Sequence, residues 1–166
     1  MKVQGRVWKF GDYINTDLIY PGKYLALTDE NEIKKHAFES LRPNFAKEVI
    51  AGDIIFAGKF FGCGSSREQA ARTLRFLGIG GIVARSFARI FYRNAINVGL
   101  PVLISEGSLE AFEEGDIAEI DFEVGEIKNI KKNICIKGKA LPEFILEILR
   151  DGGLIPHLRK MIQREN

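Results

Sequence analysis

Residues 53–84, DIIFAGKFFGCGSSREQAARTLRFLGIGGIVA, decide how the rest of the chain is read. The stretch opens on a short apolar run, DIIFAG, with the length and composition of a buried strand. A glycine-rich turn follows, GCGSSRE at 62–68. The spacing then predicts a helix from about residue 67 to 77, with Ala70, Ala71, Leu74 and Leu77 on its inner face and Gly78 as its stop. GGIVA at 80–84 reads as the next strand. A strand, a turn, a helix and a strand within some thirty residues is the unit from which parallel sheets are built.

The same unit repeats downstream. SFARIFYRNAINVG (86–99) has helical spacing, with Ser86 as cap, Phe87, Ile90, Phe91 and Ala95 inward and Gly99 as terminator. LPVLIS (100–105) supplies a third strand. From 117 to 138 the pattern changes to alternation, with Ile120, Phe122 and Val124 on one side, the signature of antiparallel strands joined by turns. LPEFILEILRDGG (141–153) closes with a helix stopped by Gly152 or Gly153. Upstream, GRVWKF (5–10) reads as a strand, and GDYINTD (11–17) and PGKY (21–24) as turns. ENEIKKHAFESL (30–41) reads as a helix capped by Asp29, with Ile33, Ala37 and Leu41 inward. The expected architecture is a single α/β domain over residues 1–166, with parallel strands and crossover helices followed by a β-meander.

The composition narrows the function classes. The chain has 166 residues, 46% hydrophobic and 28% charged, which is enough to bury a core without cross-links. Lys and Arg number 24 against 22 Asp and Glu, and the basic residues are dispersed, so charge gives no case for nucleic-acid binding. No signal-type N-terminus and no run of 18 apolar residues is present, so neither secretion nor a membrane span is expected. The two cysteines, Cys63 and Cys135, and two histidines, His36 and His157, make a poor metal set; no metal is expected in this chain, and a reducing cytoplasmic setting is the default.

The turn at 62–68 admits several chemistries. Ser65 with Glu68, or Ser66 with Gln69, matches a helix capping box. The glycines resemble a phosphate cradle, but Arg67 stands where a third glycine belongs and no P-loop lysine follows. Cys63 as a nucleophile lacks a histidine nearby in sequence. A fourth reading joins the parts: the loop lies at the carboxyl end of a strand, where α/β sheets bind ligands. There the helix N-terminus and Arg67 would hold a carboxylate, and a serine could take a proton from the carbon beside it. Spacing alone leaves these readings open.

GCGSSRE, preceded by KFGDYINTDLIYPGKYL and followed by ARSFARIFYRNAINVGLP, resembles the small subunits of the isopropylmalate isomerase and homoaconitase group, which correspond to the swivelling domain of aconitase. The resemblance runs from about Val7 to the GGLIPHL segment, and the three motifs stand in the right order. It implies a swivelling β/β/α fold and a hydro-lyase that removes and returns water on a hydroxy-acid. It also implies a large partner subunit whose cysteines hold a 4Fe-4S cluster, in a hetero-oligomer; the chain by itself would be colourless, iron-free and inactive, as a homodimer or tetramer. Carried over by motif, Ser65 is the general base, Arg67 binds a substrate carboxylate, Ser66 assists binding, and Asp17 belongs to the same network. KYLALTD at 23–29 matches the loop that closes over the substrate's variable group. Homocitrate-type versions of it carry an arginine where this chain has Ala26, between Leu25 and Leu27. The resemblance therefore implies isopropylmalate and leucine biosynthesis, with homocitrate or citramalate as the alternative acids and a non-catalytic regulatory or RNA-binding relative as the alternative class.

Overall fold

The computed structural model describes residues 1–165. Seven strands form one sheet: β1 (Lys2–Lys9), β2 (Ile54–Ala57), β3 (Gly81–Ala84), β4 (Val102–Ile104), β5 (Ile117–Asp121), β6 (Glu126–Asn129) and β7 (Ile134–Lys137). Their order is β4-β3-β2-β1-β5-β6-β7. β1 is the joint. Its end, Val7 to Lys9, pairs parallel with Ile54 to Phe56 of β2, while Lys2 to Arg6 pair antiparallel with Asp121 to Ile117 of β5. Everything from β1 to β4 is parallel, and β5, β6 and β7 form the antiparallel meander. This is the mixed architecture that the periodicities predict.

Alternation along the central strands splits the core into two layers. Ile55, Ala57, Ile82, Ala84 and Val102 face one cluster; Ile54, Phe56, Val83 and Leu103 face the other. The steps from β1 to β4 all run in one direction, so right-handed crossovers place their helices on a single face. These are α4 (Glu68–Phe76) between β2 and β3, and α5 (Arg89–Asn97) between β3 and β4. Ala70, Ala71 and Leu74 of α4 and Phe91, Ala95 and Ile96 of α5 enter the first cluster. The second is filled by the meander (Ile120, Phe122, Ile127) and by Leu146 and Leu149 of α7 (Glu143–Arg150). α4 ends as expected: Gly78 takes φ +79, and the next amide, of Ile79, reaches back to the Leu74 carbonyl.

Four expectations need correction. The helix expected over 30–41 is only α2 (Glu30–Ile33) followed by one tight turn at Lys34–His36, although Asp29 does cap it. The chain breaks at Phe38 (φ +53), which swings wholly inside to stack on Phe10 at 4.2 Å and abut Phe45 at 4.9 Å. Leu41 consequently lies outside. α5 starts at Arg89 rather than Ser86, because residues 86–88 stay extended and bridge to Phe61. Ser86 accepts from the Phe60 amide instead of capping, and Ile90 is turned outward, 51% exposed. Val124 falls in the turn between β5 and β6, not on the buried side. Finally, GDYINTD is not all turn: Asn15 caps α1 (Thr16–Ile19) by accepting from the Leu18 amide. Three further helices complete the chain: α3 (Phe45–Glu48), α6 (Ser108–Ala111) and α8 (Leu154–Glu165). α8 lies beyond the glycines read as the closing stop.

Candidate active site

The site is built where the parallel strands end. The loop after β2 continues in extended form between the loops after β1 and β3, with bridges from Cys63 to Asn15 and from Phe61 to Phe87. Backbone bonds fix it on both sides: Gly62 N to Ile14 O at 2.7 Å, Thr16 N to Cys63 O at 2.8 Å, and Phe61 N to Ser86 O at 3.0 Å. Gly62 is required here. Its φ is +81, and a Cβ would stand 2.1 Å from the Phe91 ring. The loop is thus pinned on α5 below it while its next residues stay open to solvent.

Ser65 and Ser66 are exposed, and neither caps α4. The N-cap position is Arg67, in extended conformation and without a side-chain bond to the helix. The capping-box reading therefore fails at both serines. The first-turn amides of α4 are left without a side-chain acceptor, which keeps the partial positive charge of the helix start available to an anion. Ser65 Oγ lies 3.0 Å from Thr16 Oγ1. The Ser66 carbonyl accepts from Asn94 Nδ2 at 3.3 Å, tying the serine pair to α5.

Arg67 crosses to the loop after β1. Its Nη1 donates to Asp17 Oδ1 at 2.6 Å, and its guanidinium packs under Gly22, where a Cβ would sit 3.0 Å from Nη2. The Gly22 amide donates to the same Asp17 oxygen at 3.0 Å. The Arg67 bond first, and the Gly22 amide second, hold the Asp17 carboxyl below its ordinary range.

The 23–29 segment lies beside the same end of α4. Tyr24 anchors it: its ring stacks on His36 at 3.6 Å and its hydroxyl donates to Glu39 at 2.8 Å. Bonds from His36 and then Tyr24 lower the Glu39 pKa. Leu25 and Leu27, with Thr28, Ile33, Gln69 and Arg72, line a pocket of about 230 Å³. Ala26, between the two leucines, is exposed. The structure thus gathers Ser65, Ser66, Arg67, Asp17 and the 25–27 segment at the start of α4. Sequence reasoning missed Thr16 and Arg72. Thr16 stands beside Asp17 in NTD, and Arg72 is one helical turn from Gln69; neither carries a motif of its own.

Residues 13–107 match the family model for the aconitase C-terminal domain. The chain belongs to that family. The isopropylmalate/citramalate isomerase small subunit of Methanocaldococcus jannaschii is 51% identical over 95% of this chain and 94% of its own length. The methanogen homoaconitase small subunit of Methanothermobacter thermautotrophicus is 48% identical over 96% of this chain and 92% of its own. Among solved structures, the crystal structure of a 3-isopropylmalate dehydratase from M. jannaschii superposes with a TM-score of 0.92, at 47% identity and 99% coverage of both chains. The expected swivelling-domain fold is therefore the observed one.

The donor set of this chain bears on whether a metal cluster could sit in it. Among the described residues no three His, Cys, Asp or Glu side chains converge. Cys63 is in the site loop, and Cys135 is exposed on β7. These residues do not fit a cluster, which needs three or four thiolates. Also among the described residues, no helix is long and apolar enough to cross a membrane.

Proposed function

We propose that this chain is the small subunit of a 3-isopropylmalate dehydratase, a hydro-lyase that interconverts 2- and 3-isopropylmalate in leucine biosynthesis. The observation that carries the reading is the presentation of an exposed, uncapped serine beside Arg67 at the start of α4. The names of relatives at about half identity over nearly the whole chain agree with it. The whole chain acts as one swivelling-type domain. A large partner subunit would hold the iron–sulfur cluster, which would supply a Lewis acid to the substrate hydroxyl. The free thiols suit the cytoplasm.

Within this reading the chain's own residues do three things. Arg67 and the free amides of α4 bind a substrate carboxylate by charge-assisted bonds. That carboxylate acidifies the adjacent C–H. Ser65 Oγ, as the alkoxide, takes this proton and becomes the hydroxyl; the freed electron pair forms the carbon–carbon double bond as the neighbouring hydroxyl leaves. Asp17 orients Arg67, and Ser66 assists binding. Leu25, Ala26 and Leu27 offer the isopropyl group an apolar wall, which favours its burial by about 25 cal/mol per Å². Ala26 itself brings no charge to a third carboxylate, whereas an arginine at that position would.

The test is kcat/KM for isopropylmalate, citramalate and homocitrate with the reconstituted pair, in the parent and in Ala26→Arg. The parent should prefer isopropylmalate, with citramalate second, and the arginine should move the ratio toward homocitrate. A parent that prefers homocitrate, or a ratio unmoved by the arginine, would overturn the assignment.

A further inference from the structure

A serine is a poor base unless something stabilises its alkoxide, and the structure holds a second hydroxyl within hydrogen-bond reach of Ser65. We propose that Thr16 is a positioning residue for Ser65, its hydroxyl donating to Oγ and favouring the alkoxide; this rests on Ser65 being the base. The two oxygens are 3.0 Å apart. Thr16 is 2% exposed, whereas Ser65 is open to solvent. The pair therefore joins a fixed hydroxyl to an accessible one.

The alkoxide form of Ser65 sets the direction of that bond, and among the described residues no other acceptor competes for the Thr16 hydroxyl. Among the described residues, Ser65 Oγ is the only hydrogen-bond partner of Thr16 Oγ1. Thr16 does not bond back to a helix carbonyl, the common alternative for a helical threonine. Once Ser65 has lost its proton it can only accept, so the proton on the bond must then be Thr16's. The threonine is also held rigidly. Its amide donates to Cys63 O at 2.8 Å and its carbonyl accepts from the Tyr20 amide at 2.9 Å. The first bond ties the loop after β1 to the loop that carries Ser65, and the second closes α1 itself. Thr16 is buried, which leaves its side chain little room to turn and places its oxygen before substrate arrives.

Buried bonds to charged groups are worth enough to move a rate roughly 10- to 100-fold. The experiment uses the enzyme reconstituted with its large subunit and four variants: Thr16→Val, Thr16→Ser, Ser65→Ala and the double Thr16→Val/Ser65→Ala. Thr16→Val keeps the shape and removes the donor. It should lower kcat about 10- to 100-fold with KM within about twofold, and move the ascending limb of the pH–rate profile upward. Thr16→Ser should restore kcat to within a few-fold. In the Ser65→Ala background the valine should cost nothing more, because the two act as a unit.

Unchanged kcat and pH profile in Thr16→Val would overturn the proposal. So would an equal loss in the presence and absence of Ser65, which marks a structural role. If Thr16→Val does not fold, Thr16→Ala carries the same comparison against Thr16→Ser. Full activity in Ser65→Ala would instead remove the reading of Ser65 as base, a different failure from that of Thr16.

Discussion

The two halves of the sheet share β1 and little else. On the parallel side the strands β1, β2 and β3 end together, and the loops that leave them are laced by backbone bonds from Gly62, Thr16, Phe61 and Ala88. That lacing carries Ser65 and Arg67. On the antiparallel side β5, β6 and β7 turn back on themselves, and the outer strand β7 is mostly exposed. Its polar face is a set of surface ion pairs, Glu126 with Lys128 and Lys137 among them. Parallel strands bring several loops to one place with their helix starts converging; a meander sends each turn to alternate ends. Chemistry is concentrated on the first half for that reason. The second half fills the core beneath it with Ile120, Phe122 and Ile127.

Substitutions should separate the halves by size of effect. The largest is expected at Gly62→Val, which forces a β-branched residue to positive φ and into the Phe91 ring. It should cost about 2 to 5 kcal/mol in denaturant unfolding. A loss well under 1 kcal/mol would mean that the site loop is not pinned to α5. Next is Arg67→Lys. Lysine keeps the charge but not the planar fork, so KM should rise about tenfold or more with kcat less affected. An unchanged KM would place carboxylate binding elsewhere.

The smallest effect is expected in the meander, at Glu126→Gln. Bonds from Lys128 and then Lys137 depress the Glu126 pKa to about 2. A carboxyl depressed in the folded state adds stability above its ordinary value of 4.5, and that contribution fades as pH falls from there toward about 2. The group is exposed and screened, so the glutamine variant should melt indistinguishably from the parent at neutral pH and ordinary salt. A clear drop in melting temperature there would show that the outer pairs matter more than the comparison allows.

Much of this was legible in the sequence. Apolar runs locate β2 and β3, the 3.6 period locates α4 and alternation locates β5, because burial dictates each pattern directly. Gly78 and Gly99 mark where α4 and α5 end. The departures come where a tertiary contact outweighs local preference. Phe38 breaks a promising helix because the aromatic cluster with Phe10 and Phe45 buries it completely. Ser86 looks like a cap but is held extended by the bridge to Phe61. Ser65 and Ser66 have capping-box spacing, yet Arg67 takes the cap position so that its side chain can reach Asp17. The meeting of NTD with SSR across 50 residues follows from the parallel pairing of β1 and β2, which no local pattern displays. The family motifs supplied it only as an expectation.

The central claim is that this chain contributes the base. Turnover and thermal unfolding measured on the same Ser65→Ala preparation, reconstituted with the large subunit, test it most directly. Ser65 makes no cap bond, and its loss unpairs only the Thr16 hydroxyl, so the variant should stay folded at the assay temperature while kcat falls about 10²- to 10⁴-fold. A variant that keeps most of its activity, or one whose loss of activity only follows a loss of about 1 kcal/mol in stability, would contradict the account.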